Sequence, residues 1–162
     1  MKKILLLVFI LSITLKMQAQ GTLCNLATPF CAGSNAFSYP AGVNAGTGQH
    51  GPNYGCLGST PDPAWYYMQV DLSGNIEFEI HTTPKRDVDY ICWGPFTSYT
   101  LPCVAQLTGD SYSHGSHHSP GPGGNYPTFN TVDCSYDPSW EEWCYIPNAV
   151  AGNYYILLIT NY

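Results

Sequence analysis

The sequence predicts an all-β protein, an antiparallel, jelly-roll-like β-sandwich stapled by disulfides. Apolar and polar residues alternate with a period of two along several short segments, a pattern typical of strands with one buried face. Clusters of Gly, Pro, Asn and Ser separate those segments, and nothing after the first twenty residues has a helical period of useful length. We therefore expect at least six strands in two stacked sheets.

The first twenty residues have the pattern of a signal peptide, which lies outside the fold. Two lysines precede an apolar run at 4–11, and Ala19 offers a small residue for cleavage. Lys16 ends the run before the roughly 20 apolar residues that a membrane span requires. We predict that residues 1–20 direct export through the Sec pathway and that no other segment spans a membrane.

The rest of the chain divides into a loop-rich opening segment of the sandwich at 21–61 and a core at 62–162. The first core strand is WYYMQVDL at 65–72, and IEFEIHT at 76–82 follows after a Ser-Gly-Asn turn. We predict that these two strands pair as a hairpin with one face in water. The later strands are VDYICWG at 88–94, EEWCYIP at 141–147 and NYYILLIT at 153–160.

A stretch rich in Gly, Ser and Pro at 109–127 predicts a mobile surface loop within the core. It contains His114, His117 and His118, and neutral imidazoles suit zinc or nickel. A loop flanked by glycines gives metal ligands no rigid support, so we interpret these histidines as part of a solvated loop.

The final strand is also the most apolar segment of the core. A run rich in Tyr and Ile favours a position in which both faces are covered and the edge is paired. We expect a further strand after Tyr162, so that the sandwich as given lacks its last strand.

Acidic residues dominate the chain once the signal peptide is removed. Two basic residues, Lys85 and Arg86, then stand against eleven acidic ones, a formal net charge of −9 with histidine neutral. Nucleic-acid backbones and anionic membrane surfaces are bound through basic side chains, so both are excluded as partners.

Seven cysteines follow the signal peptide, and an exported chain meets an oxidising environment in which such cysteines form disulfides. Zinc binding is disfavoured because no CxxC pair is present. An odd number leaves one cysteine without a partner in the chain. The seven are Cys24, Cys31, Cys56, Cys92, Cys103, Cys134 and Cys144.

Asp87 and Asp89 lie two apart at the start of a predicted strand, so both side chains point to the same face. Carboxylate oxygens suit calcium, and these residues are the candidate ligands of a calcium site. No other cofactor is expected. The interpretation that we favour is a strand start on a wet face, with Lys85 and Arg86 as ion-pair partners.

No set of residues in the sequence indicates catalysis. The neighbouring acids Glu77 and Glu79, and likewise Glu141 and Glu142, suggest the paired carboxylates of a glycosidase. The first pair alternates with core residues, however, and therefore faces water. A GxSxG nucleophile motif is also missing from the sequence. We predict that the protein is not an enzyme.

Aromatic side chains suggest a binding face instead. Trp65, Tyr67, Trp93 and Trp140 are the candidate residues of a ligand face, since flat rings on a sandwich face stack on sugars. Aromatic residues also fill sandwich cores and seams between domains, and burial there is the competing interpretation.

Four segments of the chain carry a family resemblance: PDPAWYYMQVDLSGNIEFEI, DVDYICWGPF, VDCSYDPSWEEWCYIPNA and GNYYILLITNY. They resemble a β-sandwich module of large secreted Bacteroidetes proteins, which often carry gliding-motility-associated C-terminal sorting domains. More distantly, the module is similar to bacterial pre-peptidase C-terminal domains.

The resemblance implies a non-catalytic module that is exported by Sec and then by the type IX system, and that is displayed on the outer cell surface or released. It also implies disulfide pairings that leave Cys24 alone. These are Cys103–Cys134, Cys92–Cys144 and Cys31–Cys56.

Two functions are consistent with these patterns. The first is a module for adhesion, recognition or spacing within a larger surface protein, whose partners are extracellular proteins or glycans and neighbouring domains of the same chain. The alternative is a carbohydrate-binding module attached to a downstream hydrolase.

Overall fold

The structure is a computed structural model that describes residues 22–31, 38, 44–108 and 129–162. The predicted signal peptide and the histidine-rich loop lie outside these described residues. Within them the chain forms seven strands and almost no helix, which confirms the predicted all-β sandwich.

The described elements follow one another along the chain. The strands are β1 (Thr28–Pro29), β2 (Ala64–Gln69), β3 (Gly74–His81), β4 (Val88–Phe96), β5 (Thr131–Ser135), β6 (Glu141–Ala149) and β7 (Tyr154–Asn161). The described helices are short: a 3₁₀ turn at Cys24–Leu26 and α1 at Pro102–Ala105. None of the helices in the described ranges is long and apolar enough to cross a membrane.

The strands form a five-stranded sheet in the order β1-β2-β7-β4-β5 and a two-stranded sheet of β3 and β6. All pairs are antiparallel except β1 with β2. The predicted hairpin of β2 and β3 is wrong, because these strands belong to different sheets. The residue after β2, Val70, still forms backbone hydrogen bonds with Gly152 and Asn153 in the turn between β6 and β7. The chain therefore leaves the large sheet next to this turn and then enters β3 of the small sheet.

β7 is the central strand of the large sheet. It pairs with β2 on one side and with β4 on the other, so that Leu157 lies between Tyr66 and Cys92. Leu157 and Leu158 point to opposite faces, and both are buried. This position explains why the segment is so apolar.

The two sheets pack face to face around an inner core, to which alternate residues of both sheets contribute. Burial of such side chains stabilises the fold by roughly 1.5–3 kcal/mol each. The inner core includes Tyr66, Met68, Val88, Tyr90, Cys92, Cys144, Ile146, Tyr155 and Leu157.

An outer core lies on the opposite face of the large sheet. The loop-rich segment covers this face with side chains that include Cys24 and Leu57. Trp65 and Trp93 stack beneath the cover with ring centroids 5.6 Å apart, and Tyr54 packs against both. Both faces of the large sheet are therefore covered, as the sequence predicted for the final strand, whereas it predicted water on one face of β2.

Two disulfides hold this cover in place. Cys24–Cys103 joins the 3₁₀ turn to α1, and Cys56–Cys134 joins the loop-rich segment to β5. They confirm disulfide formation for four of the seven cysteines, and they indicate an oxidising environment outside the cytoplasm. Cys31, Cys92 and Cys144 are free thiols, whereas the odd count predicted one unpaired cysteine.

The individual pairings differ from those implied by the resemblance. Cys103 and Cys134 do not bond to each other, because both contact the outer core, where each meets a cysteine of the loop-rich segment. Cys31 is an exposed thiol. The absent pairings are Cys103–Cys134, Cys31–Cys56 and Cys92–Cys144.

Candidate functional site

The structure separates the aromatic residues that the sequence grouped as a ligand face. Trp65 and Trp93 are 0% exposed, so their assignment to a ligand face is wrong. Strand alternation correctly places Trp65 and Trp93 on the outer face of the large sheet. It does not indicate that the loop-rich segment covers that face. Tyr67 and Trp140 are half-buried and lie apart, in β2 and next to His81.

The ring of Trp140 already has a partner on one face. The Lys85 ammonium lies 3.8 Å from the ring centroid, a distance typical of a cation–π contact. A sugar that stacked on this face would have to displace the lysine.

Three half-buried tyrosines form what we call the tyrosine patch, at the rim of the cover. The rings of Tyr67 and Tyr99 stack 3.9 Å apart at an interplanar angle of 8°. Tyr154 lies 6.4 Å from Tyr67 and 6.0 Å from Tyr99. Desolvation, and then the neighbouring phenols of Tyr99 and Tyr154, raises the pKa of Tyr67, so the Tyr67 hydroxyl stays protonated at neutral pH.

Exposed apolar side chains lie on and next to α1, which follows Tyr99 in the chain. Leu101 is 64% exposed and Val104 is 84% exposed. The Cys24–Cys103 disulfide anchors this short helix to the cover. We call the tyrosine patch together with Leu101 and Val104 the contact surface.

The candidate calcium ligands do not lie on a wet face as predicted. Asp89 is 2% exposed and Asp87 is half-buried. Among the described residues, no ion pair joins either aspartate to Lys85 or Arg86. Desolvation raises the pKa of Asp89 to about 7, and the charges of Asp87 and Asp137 add to the rise.

Glu142 is a second buried carboxylate, which sequence reasoning treated only as a neighbour of Glu141. It is 0% exposed, and neither of its oxygens has a well-formed hydrogen bond among the described residues. Desolvation raises the pKa of Glu142 to about 8; nearby aspartates add to the rise, and Ser135 opposes it. Alternation along β6 places Glu142 on the side of Cys144, and this signal could have revealed its burial.

The described residues contain no group of three or more His, Cys, Asp or Glu side chains arranged to hold a metal ion. The calcium site at Asp87 and Asp89 therefore stays a prediction. The histidines of the 109–127 loop lie outside the described residues.

An open depression of about 270 Å³ lies where β2 passes the turn between β6 and β7. It is lined by Gln69, Val70, Asp71 and Gly152, so it contains one carboxylate and no partner that could act with it as an acid–base pair.

The fold and these surfaces define a small β-sandwich domain with a disulfide-anchored cover. Comparisons with protein-family models, with curated proteins and with solved structures gave no match. The resemblance to Bacteroidetes surface modules therefore stays a prediction.

Proposed function

We propose that the protein is a non-catalytic module for adhesion, recognition or spacing, secreted or displayed on the outer cell surface as part of a larger surface protein. The observation that supports this function most is the contact surface. It presents uncharged rings and exposed apolar side chains in a protein that is otherwise strongly acidic.

The composition of the contact surface favours binding to another molecule. Large apolar side chains that are exposed close together in the chain, as Leu101 and Val104 are, mark interaction sites, and tyrosine combines a large apolar ring with a polar hydroxyl. The Cys24–Cys103 disulfide anchors the backbone of α1, which carries Val104, and a backbone held in place before binding lowers the entropy that association must overcome.

Export is the second part of the proposal. The oxidised cysteines and the N-terminal pattern of a signal peptide support transport through the Sec pathway. The type IX system is the second transport step that the family resemblance implies.

A carbohydrate-binding module is the alternative, and two contacts weigh against it. A sugar stacks on a ring face, and Tyr99 occupies one face of Tyr67 while Lys85 occupies one face of Trp140, so each ring has at most one face left for a sugar. An extracellular protein that packs on the edges and apolar side chains of the contact surface fits this geometry better.

Two exposed valines allow a matched test of the contact surface. Val104 is 84% exposed on α1, and Val150 is 55% exposed in the turn between β6 and β7. We expect the exported wild-type chain to bind at least one member of a panel of immobilised extracellular proteins and glycans. Val104→Asp should weaken this binding at least about tenfold, because it places a charge in an apolar contact, and Val150→Asp should not.

Interferometry on the same panel separates the outcomes. Equal loss of binding in both variants, or no binding by the wild-type chain to any surface, would contradict the proposal. Selective glycan binding that survives Val104→Asp would favour the alternative, and hydrolytic release of panel material would show an enzyme.

A further inference from the structure

The small sheet has two edges, and the described residues close one of them. At the edge of β6, the Tyr145 amide donates to Asp133 Oδ2 of β5 at 2.7 Å. The Tyr90 hydroxyl of β4 donates to the Trp143 carbonyl oxygen at the same edge. The opposite edge belongs to β3, which among the described residues pairs with β6 alone. We call this unpaired side of β3 the β3 edge.

The hydrogen bonds of β6 show which backbone groups point out of the β3 edge. In an antiparallel pair, the N–H and C=O of one residue both point toward the partner strand or both point away from it. Tyr145 lies opposite Glu77, and its N–H points away from β3 to Asp133. Glu77 therefore directs its own N–H and C=O away from β6, and Glu79, two residues further along, does the same. Among the described residues these groups have no backbone hydrogen-bond partner.

The side chains of β3 give this edge two different faces. Ile76 and Phe78 are half-buried on the inner face, where the Phe30 ring that follows β1 lies 5.3 Å from the Phe78 ring. Glu77 and Glu79 are exposed on the outer face. A strand that pairs with β3 therefore covers apolar side chains on one face and meets two carboxylates on the other.

A second copy of this chain fits the β3 edge poorly. Two copies of β3 that paired about Phe78 would place Glu77 of one copy opposite Glu79 of the other, and like charges directly opposite each other are destabilising. Charged side chains on edge strands also oppose such self-association. Basic residues at the same positions form opposite-charge pairs instead. His81 Nδ1 lies 3.0 Å from Glu79 Oε1, a distance at which this carboxylate accepts a hydrogen bond from a nitrogen.

We propose that the β3 edge binds an extended segment of another protein, in which basic and apolar residues alternate, as an antiparallel third strand of the small sheet. The outward backbone groups of Glu77 and Glu79 bond to two residues of that segment that lie two apart. These two residues are the basic ones, because residues directly opposite each other project to the same face. The apolar residue between them packs next to Phe78. The β3 edge is independent of the contact surface, which contains no residue of the small sheet.

A synthetic peptide about ten residues long, in which lysine alternates with valine, is the probe for this edge. It is titrated calorimetrically into the full chain produced in an oxidising compartment. We expect saturable binding, and we expect binding at least about tenfold weaker when glutamate replaces every lysine of the peptide, because the opposite-charge pairs become like-charge pairs.

Two N-methylated versions of the probe separate strand pairing from charge attraction. Methylation of every lysine nitrogen in the peptide backbone removes the N–H groups that face β3, and we expect it to weaken binding at least about tenfold. Methylation of every valine nitrogen removes N–H groups that face away from β3, so the affinity should change little. Both peptides keep the same side-chain charges.

A charge-reversed protein locates the site on β3. The double variant Glu77→Lys, Glu79→Lys changes two exposed side chains, and we expect it to bind the glutamate–valine peptide at least about tenfold more tightly than the lysine–valine peptide. The exposed Asp71→Lys is the control, and it should keep the preference of the wild-type chain.

Three results would overturn the proposal: no binding of the lysine–valine peptide, equal affinity for the two N-methylated peptides, or an unchanged preference in the charge-reversed variant. A wild-type dimer that the lysine–valine peptide dissociates in sedimentation velocity would place a second copy at the β3 edge, and would overturn it as well.

Discussion

Single buried carboxylates behave differently in this protein according to their hydrogen bonds. Asp133 accepts from the Tyr90 hydroxyl and from the amides of Cys134 and Tyr145. Glu142 is as deeply buried, but its oxygens lack such donors among the described residues. A buried charge without partners is costly, so Glu142 favours its protonated form.

This difference predicts that the metal-free protein loses stability as the pH rises. The pKa of Asp89 is raised to about 7 and that of Glu142 to about 8. The folded protein therefore holds more protons than the unfolded chain between about pH 4 and pH 8, and the free energy of unfolding falls across that window. Asp87 and Asp137 face the same groups and strengthen the effect.

Thermal unfolding in EDTA measures this dependence. We expect a lower Tm at about pH 8 than at about pH 5, and we expect Glu142→Gln to recover on the order of 2 kcal/mol at the higher pH because it removes the charge but keeps the shape. The exposed Glu77→Gln is the matched control and should change little. A Tm that rises with pH across this window would contradict the assignment.

At the scale of elements, the sequence predicts where strands lie better than how they pair. The segments predicted to be strands correctly located β2, β3, β4, β6 and β7, although β4 and β7 are buried on both faces. Alternation could not show that β2 and β3 join different sheets, since it is the same for a hairpin and for a strand that crosses the sandwich.

The sequence also did not predict that the loop-rich segment packs on the outer face of the large sheet. The loop-rich segment contributes isolated anchors such as Tyr54 and Leu57, which follow no period, so the sequence gives no sign that it packs on a sheet. The burial of Trp65 and Trp93 and the pairing of the disulfides both depend on that cover. Local patterns left the two tryptophans open between a ligand face and a core, and the disulfide pairings that the resemblance implied were wrong.

Removal of one of the two disulfides tests how much the anchored cover contributes to the free energy of unfolding. The Cys24–Cys103 disulfide closes a sequence separation of 79 residues, for which chain entropy gives about 4 kcal/mol. We expect the double variant Cys24→Ala, Cys103→Ala to lose stability of this order in urea unfolding, and Cys31→Ala to lose little. A loss below about 1 kcal/mol would show that the cover is held by packing alone.

At the scale of the whole molecule, one sheet with two buried faces organises the protein. β7 runs through its centre, the small sheet covers one face, and the loop-rich segment covers the other. The contact surface lies where this second cover ends, so its rigidity depends on the same disulfides that hold the cover. The fold and the proposed export and function are thus linked through the oxidation of four cysteines.

Peptide mapping under non-reducing conditions, on residues 1–162 produced in an oxidising compartment, tests most directly whether disulfides hold the loop-rich segment in place. We expect linked peptides for Cys24 with Cys103 and for Cys56 with Cys134, which place the loop-rich segment on the outer face of the large sheet. Linked peptides for Cys103 with Cys134, or four reduced cysteines at these positions, would contradict it.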